Sequence, residues 1–254
     1  MSILEQSAPA PRKVMTLFYL VDTSGSMAGE KLGSVNSAME EAIVDDLPSI
    51  STANDDAEIK VAIMQFSDAC SWITPPSGPL GIGDVIWSDL QAGGTTCLGA
   101  ALTELDSKLS RNAYLQSQTG AYAPVIILMS DGGPTDAWLE ALEMLRKNNW
   151  FKHAIKIAIA IGEDADKNVL AQFTGNSEAV IEVNDKHTLK MLIRKVSVRA
   201  SEFQSHSKQA TDVTTTPAED SANIVNEVKN DIVREQQDSG HSIDVNSDPT
   251  WGKW

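Results

Sequence analysis

The chain has 254 residues, of which 42% are hydrophobic, so it is long enough for one large domain or two small domains with a buried core. Its formal net charge of −15 at pH 7 would repel nucleic acid and anionic membranes, and neither is expected as a general partner. The two cysteines, Cys70 and Cys97, lack CxxC or Cys/His spacing, which favours reduced, buried thiols. Because the sequence shows no signal-peptide core and no spanning apolar run of roughly 18 residues, we expect a cytoplasmic protein.

The first half of the sequence predicts two strand–helix units. The apolar run "VMTLFYLVD" predicts a strand, and apolar residues at helical spacing between Leu32 and Leu47 predict the helix that follows it. The second unit consists of a strand at 57–66 and a helix within 93–109, which opens with glycines and threonines. The Pro- and Gly-rich interval between them predicts one short antiparallel edge strand near Trp72–Thr74.

The second half continues the alternation of strands and helices. "APVIILMS" predicts a strand, and a helix is expected from near Pro134 to Lys147. "AIKIAIAIG" and "AVIEV" predict two further strands, separated by a short helix that starts at about Lys167. The spacing of apolar residues over 186–203 predicts an amphipathic last helix.

This alternation predicts an α/β fold of the Rossmann-like, doubly wound type, with a mainly parallel central sheet flanked by helices. We expect residues 1–13 to be a flexible leader and residues 14–203 to form the domain. Residues 204–254 are acidic and poor in large apolar residues, so a disordered tail is predicted, with a transient helix near Asn223–Arg234. Its end, with Trp251 and Trp254, is either a docking peptide or a loose terminus.

Three loops that follow predicted strands carry polar clusters, at Asp22–Ser26, Gly93–Thr96 and Ser130–Pro134. For any one loop, helix capping and tight turning are a sufficient explanation of such residues. In a parallel sheet, however, the carboxyl ends of the strands share one edge, where ligands bind. Three polar loops on one edge therefore favour a shared site.

The chemistry of these loops points to a hard cation. They contain two carboxylates and six hydroxyls, of which three or four would serve one ion, and no histidine or thiolate. Oxygen donors of this kind select Mg²⁺, Mn²⁺ or Ca²⁺ over zinc or copper. An ion held mainly by neutral hydroxyls keeps excess positive charge, so it would still attract an anionic ligand.

The sequences "DTSGS", "GGTTCLG" and "SDGGPTD", in this order, resemble the metal-ion-dependent adhesion site (MIDAS) of von Willebrand factor A (VWA) domains, and the resemblance extends over about residues 14–200. It implies that two serines and a threonine bind the ion directly, while the aspartates act largely through water. Mg²⁺ or Mn²⁺ is the expected cofactor, ahead of Ca²⁺. The residues that match the family's pattern are Asp22, Ser24, Ser26, Thr96 and Asp131.

Two details refine this resemblance. Thr96 fits better than Thr95, because an apolar residue and a glycine or alanine follow the family's threonine two and three positions later, here Leu98 and Gly99. "DTSGSMAGEKL" and "SDGGPTDAW" further resemble the bacterial tellurite-resistance VWA proteins, the TerY group, although Gly133 stands where that group often has glutamate. The narrower resemblance implies a stress-response protein, with a co-encoded kinase or phosphatase as a partner.

Three enzymatic interpretations of the first loop lack residues that the corresponding active sites require. An aspartic protease needs Asp-Thr-Gly or Asp-Ser-Gly in an all-β setting, but Ser24 precedes Gly25 here. A P-loop needs GxxxxGK[ST], whereas Glu30 precedes Lys31 and a leucine follows it. A serine hydrolase needs a histidine base, and the four histidines all fall on predicted helices or in the tail.

The sequence therefore predicts a non-catalytic, divalent-cation-dependent protein-binding module that binds an Asp or Glu side chain of a partner through the ion. Two alternatives stay open. One is a Mg²⁺-dependent phosphoryl-transfer enzyme or phosphatase, since carboxylates at strand ends can hold Mg²⁺ for such chemistry. The other is a structural domain with a degenerate site.

Overall fold

The computed structural model describes residues 12–48, 57–206 and 216–238. Its seven strands are β1 (Lys13–Asp22), β2 (Ala57–Phe66), β3 (Cys70–Trp72), β4 (Leu80–Gly81), β5 (Val125–Ser130), β6 (Ile155–Ile161) and β7 (Val180–Val183). Its α-helices are α1 (Glu30–Glu40), α2 (Leu98–Lys108), α3 (Trp138–Leu145), α4 (Asn149–His153), α5 (Lys167–Thr174), α6 (Lys186–His206) and α7 (Pro217–Asp238). A π-helical turn, Glu41–Asp46, extends α1.

The strands form one mainly parallel sheet in the order β3-β2-β1-β5-β6-β7. Strand β1 pairs in parallel with both β2 and β5, and its last residue, Asp22, lies opposite Phe66. The antiparallel edge strand expected near Trp72–Thr74 is present as β3, and the two-residue β4 adds a second antiparallel pairing to β2. The predicted α/β fold is therefore confirmed.

Helices cover both faces of the sheet, which explains why its strands are apolar along their whole length. Met15, Leu17 and Tyr19 of β1 belong to the core beneath α1, α6 and α7. Phe18 and Leu20 point the other way, into the core beneath α2, α3, α4 and α5. Successive residues of a strand face opposite sides, so a strand buried on both sides needs an unbroken apolar run.

The prediction of a disordered tail is wrong for residues 217–238, which form α7. One side of this helix packs against the core that contains α6 and the sheet, through Ala222, Ile224, Val225, Val228 and Ile232, all 3% exposed or less. Its outer side forms two ion pairs with α6, Arg199 with Asp231 at 2.7 Å and Lys195 with Glu235 at 2.5 Å.

Local sequence signals explain where α7 begins. Thr216 and Glu219 form a reciprocal capping box, in which the Thr216 amide donates to Glu219 Oε2 at 2.7 Å and the Glu219 amide donates to Thr216 Oγ1 at 3.3 Å. Pro217 occupies the first helical position, where its missing N–H leaves no bond unmade. The average composition of the tail did not indicate this cap or the apolar stripe that follows it.

Several other predictions lie outside the described residues. These are the leader up to residue 11 and the predicted tail at 207–215 and 239–254, which includes Trp251 and Trp254. Among the helices of the described ranges, none combines the length and the apolar character that a membrane span needs.

Candidate metal centre

Asp22, at the carboxyl end of β1, is fully buried and accepts two hydrogen bonds. The amide of Ser24 donates to its Oδ1 at 2.8 Å, and Ser130 Oγ donates to its Oδ2 at 2.5 Å. Ser130 ends β5, the neighbour of β1, so the pairing of these strands sets the contact. The two bonds fix the orientation of the carboxylate.

The two serines of the first loop hold their hydroxyls side by side. Ser24 Oγ and Ser26 Oγ are 3.0 Å apart. Ser24 is 1% exposed, whereas Ser26, in the 3₁₀ turn Gly25–Met27, is open to solvent. The first loop therefore places one hydroxyl in the floor of the candidate centre and one at its rim.

The second loop is joined to the first by backbone hydrogen bonds. The Gly25 amide donates to the Gly94 carbonyl at 3.0 Å, and the Gly93 amide donates to the Thr23 carbonyl at 2.8 Å. These two bonds hold the loop that carries Thr96 against the loop that carries the serines.

The two threonines of the second loop have different environments. Thr95 donates both its amide and its hydroxyl to Asp68 Oδ1, at 2.7 and 2.8 Å. Thr96 is 5% exposed, and its hydroxyl is not engaged by Asp68. This difference supports the choice of Thr96 over Thr95 as the candidate ligand.

The third loop holds the second loop in place. Thr135 donates its amide to the Thr96 carbonyl at 2.8 Å. Asp136 accepts from the amides of Gly99 and Ala100, both at 3.0 Å, so it caps α2 from a distant part of the chain. A Cβ on Gly99 would lie 2.9 Å from Asp136 Oδ2 and from Trp138 Cα, so this close approach requires glycine.

The buried carboxylate of Asp22 is disfavoured as an anion by its burial. Burial raises the pKa of Asp22; hydrogen bonds from Ser130 and Ser24 offset part of that effect, and the charge of Asp131 adds to it. Asp131 is 6% exposed, and its Oδ2 lies 3.3 Å from the ammonium of Lys31. A divalent cation beside Asp22 and Asp131 would stabilise both anions.

All five residues proposed from the sequence lie at one edge of the sheet, on three loops joined to one another by hydrogen bonds. Three further residues, Ser130, Lys31 and Asp136, make contacts at the centre that the sequence did not predict. The sequence "SDGGPTD" contains Ser130 and Asp136, but the residues that they contact are more than thirty positions away along the chain. Across residues 12–48, 57–206 and 216–238, no three His, Cys, Asp or Glu side chains group as metal ligands; the candidate centre combines hydroxyls with two carboxylates.

Comparisons with known proteins agree with this architecture. Residues 17–134 match the family model described as the von Willebrand factor type A domain. Among curated proteins, none matches the sequence significantly.

Solved structures share the fold at low identity. Proximal thread matrix protein 1 from the mussel byssus, in a structure with a zinc-occupied MIDAS motif, is 19% identical with a TM-score of 0.55; the match covers 76% of this chain and 49% of that one. A von Willebrand factor type A protein from Catenulispora acidiphila is 18% identical with a TM-score of 0.51, covering 74% and 43%. The ArnB paralog VWA2 from Sulfolobus acidocaldarius is 20% identical with a TM-score of 0.52, covering 73% and 45%.

The chain covers less than half the length of each of these three structures, and at such identities they show a shared fold. The family model and the fold support the resemblance to VWA domains, while the metal-ion-dependent adhesion site and the TerY-like resemblance stay predictions. Residues 17–134 therefore match a von Willebrand factor type A domain, and the chain shares the fold of the solved structures.

Proposed function

We propose that this chain is a non-catalytic protein-binding module that depends on a divalent cation, Mg²⁺ or Mn²⁺. The ion would bind Ser24, Ser26 and Thr96, with Asp22 and Asp131 holding it through water. An Asp or Glu side chain of a partner protein would complete its coordination. The observation that carries the proposal is the joining of three hydroxyl-bearing loops around the buried Asp22 carboxylate.

The donor set supports a cation that keeps net positive charge. Hydroxyl ligands are neutral, and the two carboxylates are engaged by protein donors, Asp22 by Ser24 and Ser130 and Asp131 by Lys31. A partner carboxylate would then supply the negative charge that the hydroxyl ligands do not provide. Desolvation offsets much of the attraction between the ion and the partner carboxylate. We still expect removal of the ion to weaken partner binding far more than removal of a charged side chain at the rim of the centre.

The phosphoryl-transfer alternative depends on Lys31, the lysine closest in sequence to the three loops. Lys31 is 8% exposed and its ammonium contacts both Asp131 and Asp164, so it is not free to bind a phosphate. Among the described residues, His153 and His187 are exposed and belong to none of the three loops. Mg²⁺-dependent activity on phosphorylated substrates, abolished by Asp22→Asn, would favour this alternative.

The cellular setting rests on the TerY-like resemblance of the first and third loops. We propose a cytoplasmic role in a bacterial stress response of the tellurite-resistance kind, with a co-encoded kinase or phosphatase as a candidate partner.

Affinity capture from native extract tests the proposed function. Wild type in Mg²⁺ should retain a protein that is lost in EDTA and lost with the double variant Asp22→Ala/Ser24→Ala. Ser107→Ala, on the exposed side of α2, is the matched control and should behave as wild type. Replacing acidic residues of the captured protein by their amides should abolish retention at one position. Identical captured proteins in every sample would contradict the proposal.

A further inference from the structure

Lys31 connects the candidate metal centre to the loop that follows β6. It lies in the first turn of α1, and its Nζ is 3.3 Å from Asp131 Oδ2 and 2.7 Å from Asp164 Oδ1. The lysine is 8% exposed, whereas the side chain of Asp164 is 72% exposed. A cation in the first turn opposes the helix dipole, so helix stability does not explain a lysine there.

The path of this side chain depends on a glycine in the loop after β6. Gly162 has φ +90°, and a Cβ there would lie 2.7 Å from Lys31 Cε and 2.8 Å from Asp164 Oδ1. A larger residue would displace the lysine from its two carboxylates. The chain thus brings α1 and the loops after β5 and β6 together around one ammonium.

The ammonium lies between two carboxylates and donates hydrogen bonds to both, Asp131 and Asp164. Asp131 is therefore paired with a positive charge that belongs to the protein.

We propose that Lys31 is a built-in positive charge of the metal centre, which neutralises Asp131 when no cation is bound and lowers the affinity of the centre for free divalent cations. The inference rests on the proposed metal site at Ser24, Ser26 and Thr96. Lys31 and Asp131 are 8% and 6% exposed, so solvent screens little of the repulsion between the ammonium and an incoming ion. A partner's carboxylate would restore the missing negative charge, and cation and partner would then bind cooperatively.

Removing the charge should strengthen cation binding and weaken the metal-free fold. Titrations of the EDTA-treated full chain with Mn²⁺, followed by calorimetry, should show Lys31→Met binding at least about tenfold more tightly than wild type. In EDTA the same variant should unfold at lower urea concentration, because the buried Asp131 loses its counter-ion. A purely structural role for Lys31 predicts the loss of stability without the gain in affinity.

Two further variants make the test specific. Asp164→Asn removes the exposed partner of Lys31 but keeps the lysine, so its Mn²⁺ affinity should equal that of wild type or be up to about threefold lower. Lys60→Met removes an equal charge from β2, where Lys60 pairs with Glu58, and should leave affinity unchanged.

The outcomes separate this inference from the proposed function. If wild type binds Mn²⁺ and Lys31→Met binds it equally or more weakly, the inference is wrong and the proposed function stands. If wild type binds no Mn²⁺, or Ser24→Ala binds it as wild type does, both are wrong. Should Lys31→Met fail to fold, tighter binding by Asp164→Asn would still overturn the inference.

Discussion

Replacing Val228 with alanine should test whether α7 is docked on the domain. Val228 is fully buried against the core, whereas Val233 on the same helix is 38% exposed. The change removes two buried methyl groups, worth about 0.8 kcal/mol each, and leaves a cavity, so we expect a loss of about 2 kcal/mol in the free energy of unfolding. Val233→Ala is the matched control and should change stability by less than about 0.5 kcal/mol.

Urea unfolding of the full chain, followed by tryptophan fluorescence and circular dichroism, measures both variants under one set of conditions. The reasoning requires the Val228→Ala midpoint to fall clearly below that of Val233→Ala, with similar slopes. Equal midpoints for the two variants would show that α7 does not contribute to the folded core. The composition-based prediction of a disordered tail would then hold for residues 217–238.

Two other predictions concern Lys156 and Asp136, neither of which is a proposed metal ligand. Burial, with the charge of Arg146, lowers the pKa of Lys156 from 10.5 to about 8. The unfolded chain therefore holds this proton to higher pH than the folded protein, and stability should rise between about pH 8 and 10.5, by up to about 3 kcal/mol relative to Lys156→Met. A difference in unfolding free energy that does not vary with pH would contradict this. Asp136→Ala should cost about 1–2 kcal/mol and weaken Mn²⁺ binding, because α2 loses its cap and Thr96 its support. Asp45→Ala, at an exposed position in the π-helical extension of α1, should do neither. Unaltered Mn²⁺ affinity in Asp136→Ala would mean that Thr96 is positioned by other contacts.

The sequence was sufficient to predict the sheet and the edge that carries the candidate centre. Unbroken apolar runs predicted β1 and β2 because both faces of those strands are covered, and alternation with helices predicted parallel pairing. Parallel pairing in turn places Asp22 and Ser130 at one edge, where the structure joins them at 2.5 Å. The periodicity of apolar residues and the polar residues of the loops are local features of the sequence, so they were enough to predict the sheet and this edge.

The contacts that organise the centre could not be predicted in the same way. Lys31 is 100 residues from Asp131 and 133 residues from Asp164, and these contacts exist because the start of α1 meets the loops after β5 and β6 in the folded chain. Asp136 caps α2 from 36 and 37 residues away. Such pairings depend on tertiary geometry, which spacing along the sequence does not encode.

Helix α7 is a different case, because its signals were present in the sequence. The capping box at Thr216 and Glu219 and the apolar spacing from Ile224 to Ile232 are both local patterns. A prediction made from the average composition of residues 204–254 gave these few positions too little weight.

Direct measurement of cation binding tests the central claim, that the three loops form a divalent-cation site. Calorimetric titration of the EDTA-treated full chain with Mn²⁺ should show a single saturable site. That site should disappear in Ser24→Ala, whose hydroxyl lies in the floor of the centre, and should persist in Ser107→Ala. Equal Mn²⁺ binding by wild type and Ser24→Ala, or no saturable binding by wild type, would contradict the account.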